Sequence, residues 1–259
     1  MRIHMVTLFP EFFVSPLGVG LIQRARSRGL VDFHSVDPRD FTSDRHRSVD
    51  DSAYGGGPGM ILRPEPIVEA VESITGAGNP RQVPVILLSP QGERLTQDRA
   101  QALVQHDELV FVCGRYKATD ERARQLVVTE ELSVGDYVLS GGEPACLVVI
   151  DALVRLLPGA MGDHDSAASD SFGPGWNGGL DCDYYTRPAV YRGLAVPEVL
   201  LSGDHARIAA WRREASEART RARRPDLGSL RRPQSSAAPT DGHGAPRLRA
   251  ADRNGRNSG

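Results

Sequence analysis

The sequence predicts an α/β protein built on a mostly parallel sheet, and three observations lead there. Residues 83–88 and 109–113 are short, unbroken apolar runs, the pattern of strands covered on both faces. Strand and helix patterns alternate along the first 157 residues at the spacing of βαβ units. The buried runs also stop at turns containing glycine, Gly114 after the second and Ser89-Pro90-Gln91-Gly92 after the first. Glycine has no Cβ, so such turns let a ligand lie against bare backbone.

Taken in order, residues 3–9 form a first strand that Pro10 ends. A helix is expected over 17–28, closed by Gly29, and a second strand over 31–36. Residues 37–59 are polar and turn-rich and end in Tyr54-Gly55-Gly56-Gly57-Pro58-Gly59-Met60. Composition alone makes that segment a surface turn. Pro64 and Glu65 open a helix to about Ile74, and a loop follows over 76–80. After the strand at 83–88, Thr96 caps a helix over 97–105, which leads into the strand at 109. A polar helical turn separates that strand from residues 133–143. The run 143–157 is a nearly all-apolar helix, which calls for burial or a partner subunit, and Pro158-Gly159 breaks it.

The organisation that follows is an α/β domain over 1–158, a linker over 159–186 poor in aliphatics, and a small helical domain over 187–230. Ile208, Trp211 and Ala215 mark the inner face of that last unit. Residues 231–259 contain one large aliphatic, Leu248, and are expected to be disordered. No internal repeat is present.

Composition narrows the classes. The chain has 259 residues, 40% of them hydrophobic and 25% charged, which suits a globular protein with a proper core. No apolar run approaches the ~20 residues needed to cross a bilayer, and the first residues enter a strand without a signal-peptide layout. The expected location is the cytoplasm. Cys113, Cys146 and Cys182 are odd in number and lack metal-ligand spacing, so they read as reduced thiols. Net charge is −2, so any nucleic-acid partner must meet local arginine clusters. Arg207, Arg212, Arg213, Arg219, Arg221, Arg223 and Arg224 supply one, with Glu214 and Glu217 offsetting only part of it.

Taken alone, each glycine-bearing loop is an ordinary strand-to-helix turn. Arg155 reads as a helix-end cation meeting the helix dipole, and Asp170 as a solvated linker acid. His46, flanked by arginines and without a liganding neighbour at helical spacing, suits phosphate rather than metal.

Cys113-Gly114-Arg115-Tyr116 followed by Ser133-Val134-Gly135-Asp136-Tyr137-Val138-Leu139-Ser140-Gly141-Gly142-Glu143 strongly resembles the TrmD-type tRNA (guanine-N1)-methyltransferases. These belong to the knotted, SPOUT class, and the resemblance runs from Met1 to about Leu230. It implies a trefoil-knotted pocket for S-adenosylmethionine. Leu88, Ser89, Pro90 and Gly92 would form one wall and Gly114 and Tyr116 a second. Val134, Gly135, Asp136, Tyr137, Val138 and Leu139, with Gly141 and Gly142, would form the third. It further implies Asp170 as general base and Arg155 as its cationic partner, with Ser166 fixing the linker or the target base. The glycine-rich segment 54–60 and Asp44-Arg45-His46-Arg47-Ser48-Val49-Asp50-Asp51 also match the family; the first would lie against cofactor or base at a dimer interface.

The implied reaction methylates N1 of guanosine 37, beside the anticodon, in a homodimer whose helical domain grips the tRNA anticodon arm. The family often asks for magnesium; no carboxylate cage stands out, so the metal is unassigned. Two departures mark this chain. Lys117-Ala118 replaces the usual Glu-Gly facing the cofactor, which implies a weaker grip on the methionine ammonium. Residues 173–179 form an insertion after Phe172. Two alternatives stay open: the same fold acting on another RNA, and an RNA-binding homologue impaired by Lys117. A nucleotide-dependent oxidoreductase lacks its Gly-x-Gly-x-x-Gly turn.

Overall fold

A computed structural model describes residues 1–77, 82–161 and 169–229. The strands are β1 (Arg2–Val6), β2 (Asp32–Val36), β3 (Asp50–Ser52), β4 (Met60–Leu62), β5 (Val85–Arg94), β6 (Glu108–Cys113), β7 (Ala118–Thr119), β8 (Glu130–Ser133), β9 (Val190–Tyr191) and β10 (Leu194–Ala195). The helices are α1 (Gly20–Ser27), α2 (Pro64–Thr75), α3 (Gln97–Leu103), α4 (Glu121–Val127), α5 (Gly142–Val154), α6 (Glu198–Leu201), α7 (His205–Arg223) and α8 (Pro225–Ser229).

The main sheet has the order β2-β1-β6-β5-β8, and every pairing in it is parallel. Successive side chains of a strand point to opposite faces, and this sheet buries both. Leu109, Phe111 and Cys113 of β6 join one core with Ile86 and Leu88 of β5 and the inner side of α5. Val110 and Val112 join a second core with Val85, Leu87, Ile67 and Val71. A short sheet, β3-β4-β7, lies apart, with β3 and β4 antiparallel and β4 and β7 parallel.

Several expected elements change form. The helix expected over 17–28 divides: residues Pro16–Gly18 make a 3₁₀ turn and α1 begins at Gly20. The polar turn after residue 116 contains two-residue β7, the complete helix α4 and β8. Asp120 caps α4, its carboxylate accepting from the Arg122 amide at 2.8 Å. The strand expected to end at Leu88 continues to Arg94. Leu132 of β8 is in register with both Leu88 and Glu93, so Ser89–Gly92 is an excursion within β5, not a strand-to-helix turn. Gly92 makes the return possible, since a Cβ there would sit 2.4 Å from the Glu131 carbonyl carbon.

The segment expected as a linker is tied down where described. Leu180 donates its amide to Thr220 Oγ1 at 2.9 Å and accepts from Ser216 Oγ at 2.6 Å, both on α7. Ser166 and the tail 231–259 lie outside the described residues.

Candidate active site

The carboxyl ends of β6 and β8 flank the 89–92 excursion of β5, because the three strands are parallel neighbours. The segments at those ends meet at the edge where α/β sheets hold ligands. They wall a cleft of about 190 Å³, floored by the start of α5. Of the expected residues, Leu88, Ser89, Pro90, Gly114, Tyr116, Val134, Gly135, Tyr137, Val138, Leu139, Gly141 and Gly142 line it. Gly92 does not, being packed under the backbone of β8, and Asp136 is exposed outside the lining.

An ion pair on a buried carboxylate ties the segments around the cleft together. Glu143, in the first turn of α5, is fully buried; it accepts from Thr7 Oγ1 at 2.9 Å and from Arg115 Nε at 3.2 Å. Arg115 also donates to the Ser140 carbonyl at 3.3 Å and lies 4.3 Å over the Phe9 ring. One side chain thereby joins the segment after β1, the turn after β6 and the loop before α5. The Gly142 amide donates to the Gly114 carbonyl at 2.8 Å, and a Cβ on Gly142 would lie 2.7 Å from Cys113 Cα. Only glycine lets these two segments close. Tyr116 has φ +58, a left-handed conformation that side chains other than glycine seldom adopt.

Polar groups in the cleft are available to a ligand. Thr119 Oγ1 is buried with no hydrogen-bond partner among the described residues. The Val138 and Leu139 amides likewise have none among them. Sequence reading missed Thr119, because a two-residue strand leaves no periodic pattern. It also missed Glu121, Arg124 and Glu131, whose charges resemble a solvated face. The Cys113 thiol is no nucleophile: burial, reinforced by a hydrogen bond with Cys146, pushes its pKa well up.

Arg155 and Asp170 come together, but elsewhere. The Arg155 guanidinium donates to the Asp170 carboxylate, each side chain about half exposed. They border a second pocket of about 480 Å³ with Gln97, Val148, Asp151, Phe172 and Asp181. No residue lines both pockets. Helix α5 runs between them, with Gly142 in the cleft and Arg155 capping the far end. At 1.5 Å per residue its length sets them about 20 Å apart.

The segment that follows Asp170 closes on itself. Phe172 donates its amide to Gly179 O at 2.7 Å, Gly173 to Asp170 O at 3.0 Å, and the Trp176 indole to Ser169 O. Of the C-terminal arginines, Arg219 pairs with Asp181 and Asp183, and Arg224 with Asp226. Arg207, Arg212, Arg213, Arg221 and Arg223 are exposed and make no ion pair among the described residues.

Residues 1–229 match the family model described as tRNA (Guanine-1)-methyltransferase TrmD. The chain is 52% identical over 227 residues to the tRNA (guanine-N(1)-)-methyltransferase of Brevibacillus brevis, covering 88% of this chain and 91% of that one. Identity to proteins of the same description from Dehalococcoides mccartyi and Bacillus cereus is 51% and 48%, again over 88% of this chain, with 90% and 91% of theirs covered.

Proposed function

Since this chain belongs to the TrmD family of tRNA (guanine-1)-methyltransferases, we propose that it transfers a methyl group from S-adenosylmethionine to N1 of guanosine 37 in tRNA. The observation that carries the reading is the cleft between the carboxyl ends of β6 and β8 and the excursion within β5. Its residues suit an adenosyl group: free amides at Val138 and Leu139, an unpartnered hydroxyl at Thr119, and walls approached at bare backbone. We assign the family's trefoil knot to the segments around it.

Guanine N1 carries a proton at neutral pH and attacks a methyl group only once that proton leaves. Asp170 is the proposed base, and its carboxylate accepts the N1 proton. Arg155 aims that carboxylate and supports the charge that develops on guanine O6. The bound sulfonium supplies the methyl group and an excellent leaving group, so the remaining task of the chain is to align donor and acceptor.

In a single chain the base lies about 20 Å from the cleft, too far for this chemistry. We therefore infer a homodimer in which Asp170 of one copy serves the cleft of the other. Exposed Val14, Val19, Val138 and Val148 are consistent with such a contact. The unpaired arginines of α7 suit the phosphates of the anticodon arm, and residues 187–230 are the proposed tRNA-gripping unit. Among the described residues no three His, Cys, Asp or Glu side chains cluster closely enough for a metal ion, so no magnesium ligand is assigned. No described helix is long and apolar enough to cross a membrane; a tRNA substrate places the work in the cytoplasm.

Methyl transfer to two transcripts of one tRNA, carrying guanosine or adenosine at position 37, tests the reading. Transfer to the first alone is expected. Equal transfer to both would show that another base is the target, and transfer to neither would remove the activity.

A further inference from the structure

Lysine occurs once in the 259 residues, at position 117, although the chain has 31 basic residues in all. That lysine lines the cleft. Its amide is tied to the Met60 carbonyl at 3.0 Å, and its stem packs beside Gly59, where a Cβ would meet Lys117 Cβ at 3.3 Å. Backbone and stem are thus fixed, and the ammonium remains to be accounted for.

The other charges of the cleft have partners. Arg115 is paired with Glu143, and Arg124 with Glu121 and Glu131. Lys117 makes no ion pair among the described residues. Arg124 is shared by two glutamates, so the paired groups leave one negative charge over, and Lys117 is the one cation of the cleft with no ion-pair partner among the described residues; such a cation attracts an anionic group on the ligand. The amino-acid end of the expected ligand has one such group, its α-carboxylate. The adenosine end has none.

We propose that Lys117 is the carboxylate anchor of the cleft, its ammonium pairing with the α-carboxylate of the methionyl part of S-adenosylmethionine and of the product S-adenosylhomocysteine. This deepens the reading of the cleft as the methyl-donor site and rests on it.

Calorimetry on the full chain separates the possibilities with two thioethers: S-adenosylhomocysteine, which has the carboxylate, and 5′-methylthioadenosine, which lacks the amino acid. Lys117→Gln is expected to weaken S-adenosylhomocysteine about tenfold, the worth of one hydrogen bond to a charged group. Affinity for 5′-methylthioadenosine should be unchanged, which also reports that the variant is folded. Lys117→Arg should restore S-adenosylhomocysteine to within about threefold of wild type. Equal changes for both ligands, or none for either, would overturn the assignment. So would an unchanged S-adenosylhomocysteine affinity with weakened tRNA binding, which would give the lysine to an RNA phosphate. If neither thioether binds the wild type, it is the reading of the cleft itself that fails.

Discussion

Glu143 has no access to solvent, and its carboxylate depends on Thr7 and Arg115. Removing one partner leaves a buried charge short of donors, which costs more than the lost contact. Thr7→Val should destabilise by about 1–3 kcal/mol and Arg115→Leu by about 3–5 kcal/mol, read from urea midpoints. Wild-type midpoints in both would show that the carboxylate needs neither. The motif containing Arg115 is plain in the sequence, yet the tie of Glu143 to Thr7 spans 136 positions and no local pattern encodes it. Asp170 poses the opposite case. Its proposed role enters through family resemblance, and as an isolated linker acid it has no sequence signal. Asp170→Asn should leave S-adenosylmethionine affinity intact and lower turnover by about 10²–10⁴-fold. A turnover near wild type would remove the residue from its role.

Element by element, β1 and β6 meet at a charged end. His4 hydrogen-bonds Glu108 at 2.8 Å and stacks on His34 with centroids 5.2 Å apart. Burial lowers the His4 pKa, outweighing the pull of Glu108 in the other direction. As pH falls below the unfolded value of about 6.5, the unfolded chain takes up this proton first, so stability falls with pH. Glu108 adds to the loss further down: burial raises its pKa, but the hydrogen bonds from His4 and Arg2 prevail and the net shift is downward. Its stabilisation is present above the unfolded carboxylate value and disappears as pH drops through the folded one. Urea midpoints at pH 7 and 5.5 should therefore differ in wild type and differ less in His4→Gln. An equal drop in both would exclude His4 as the source.

The α7 helix makes a separate prediction. Arg212→Gln with Arg213→Gln should weaken tRNA binding and flatten its dependence on log salt by about 0.7–0.9 per lost phosphate contact. S-adenosylmethionine affinity should not change. An unaltered salt slope would mean that α7 does not face the RNA. The inner face of this helix was legible as Ile208, Trp211 and Ala215, all half-buried. What the sequence concealed was that Arg219 turns inward to Asp181 and Asp183, since an arginine in a run looks the same whichever way it points.

For the whole molecule, the distance along α5 requires a second copy if the proposed chemistry is right. Asp170→Asn and Leu139→Asp should each be inactive alone, the second because it introduces a carboxylate into the lining of the cleft. Unfolded and refolded together in equal amounts, half the dimers would be mixed and each would have one intact site. Activity near roughly a quarter of wild type is expected. No recovery, with mixed dimers demonstrated, would place base and cleft in the same chain.

By itself the sequence determined the fold class, the loops that bear the site and their order. Those properties are local: an apolar run of strand length, a glycine after it, a helix that Pro158 breaks. Tertiary structure alone decided three other things: that Ser89–Gly92 is an excursion within a strand, that Glu143 is a buried anion, and that the cleft and the Arg155–Asp170 pair lie at opposite ends of one helix. The reason is physical. A strand's register, the partner of a buried charge and the span of a helix are relations between segments far apart in the chain, and hydrophobic pattern records only which face of each segment goes inside.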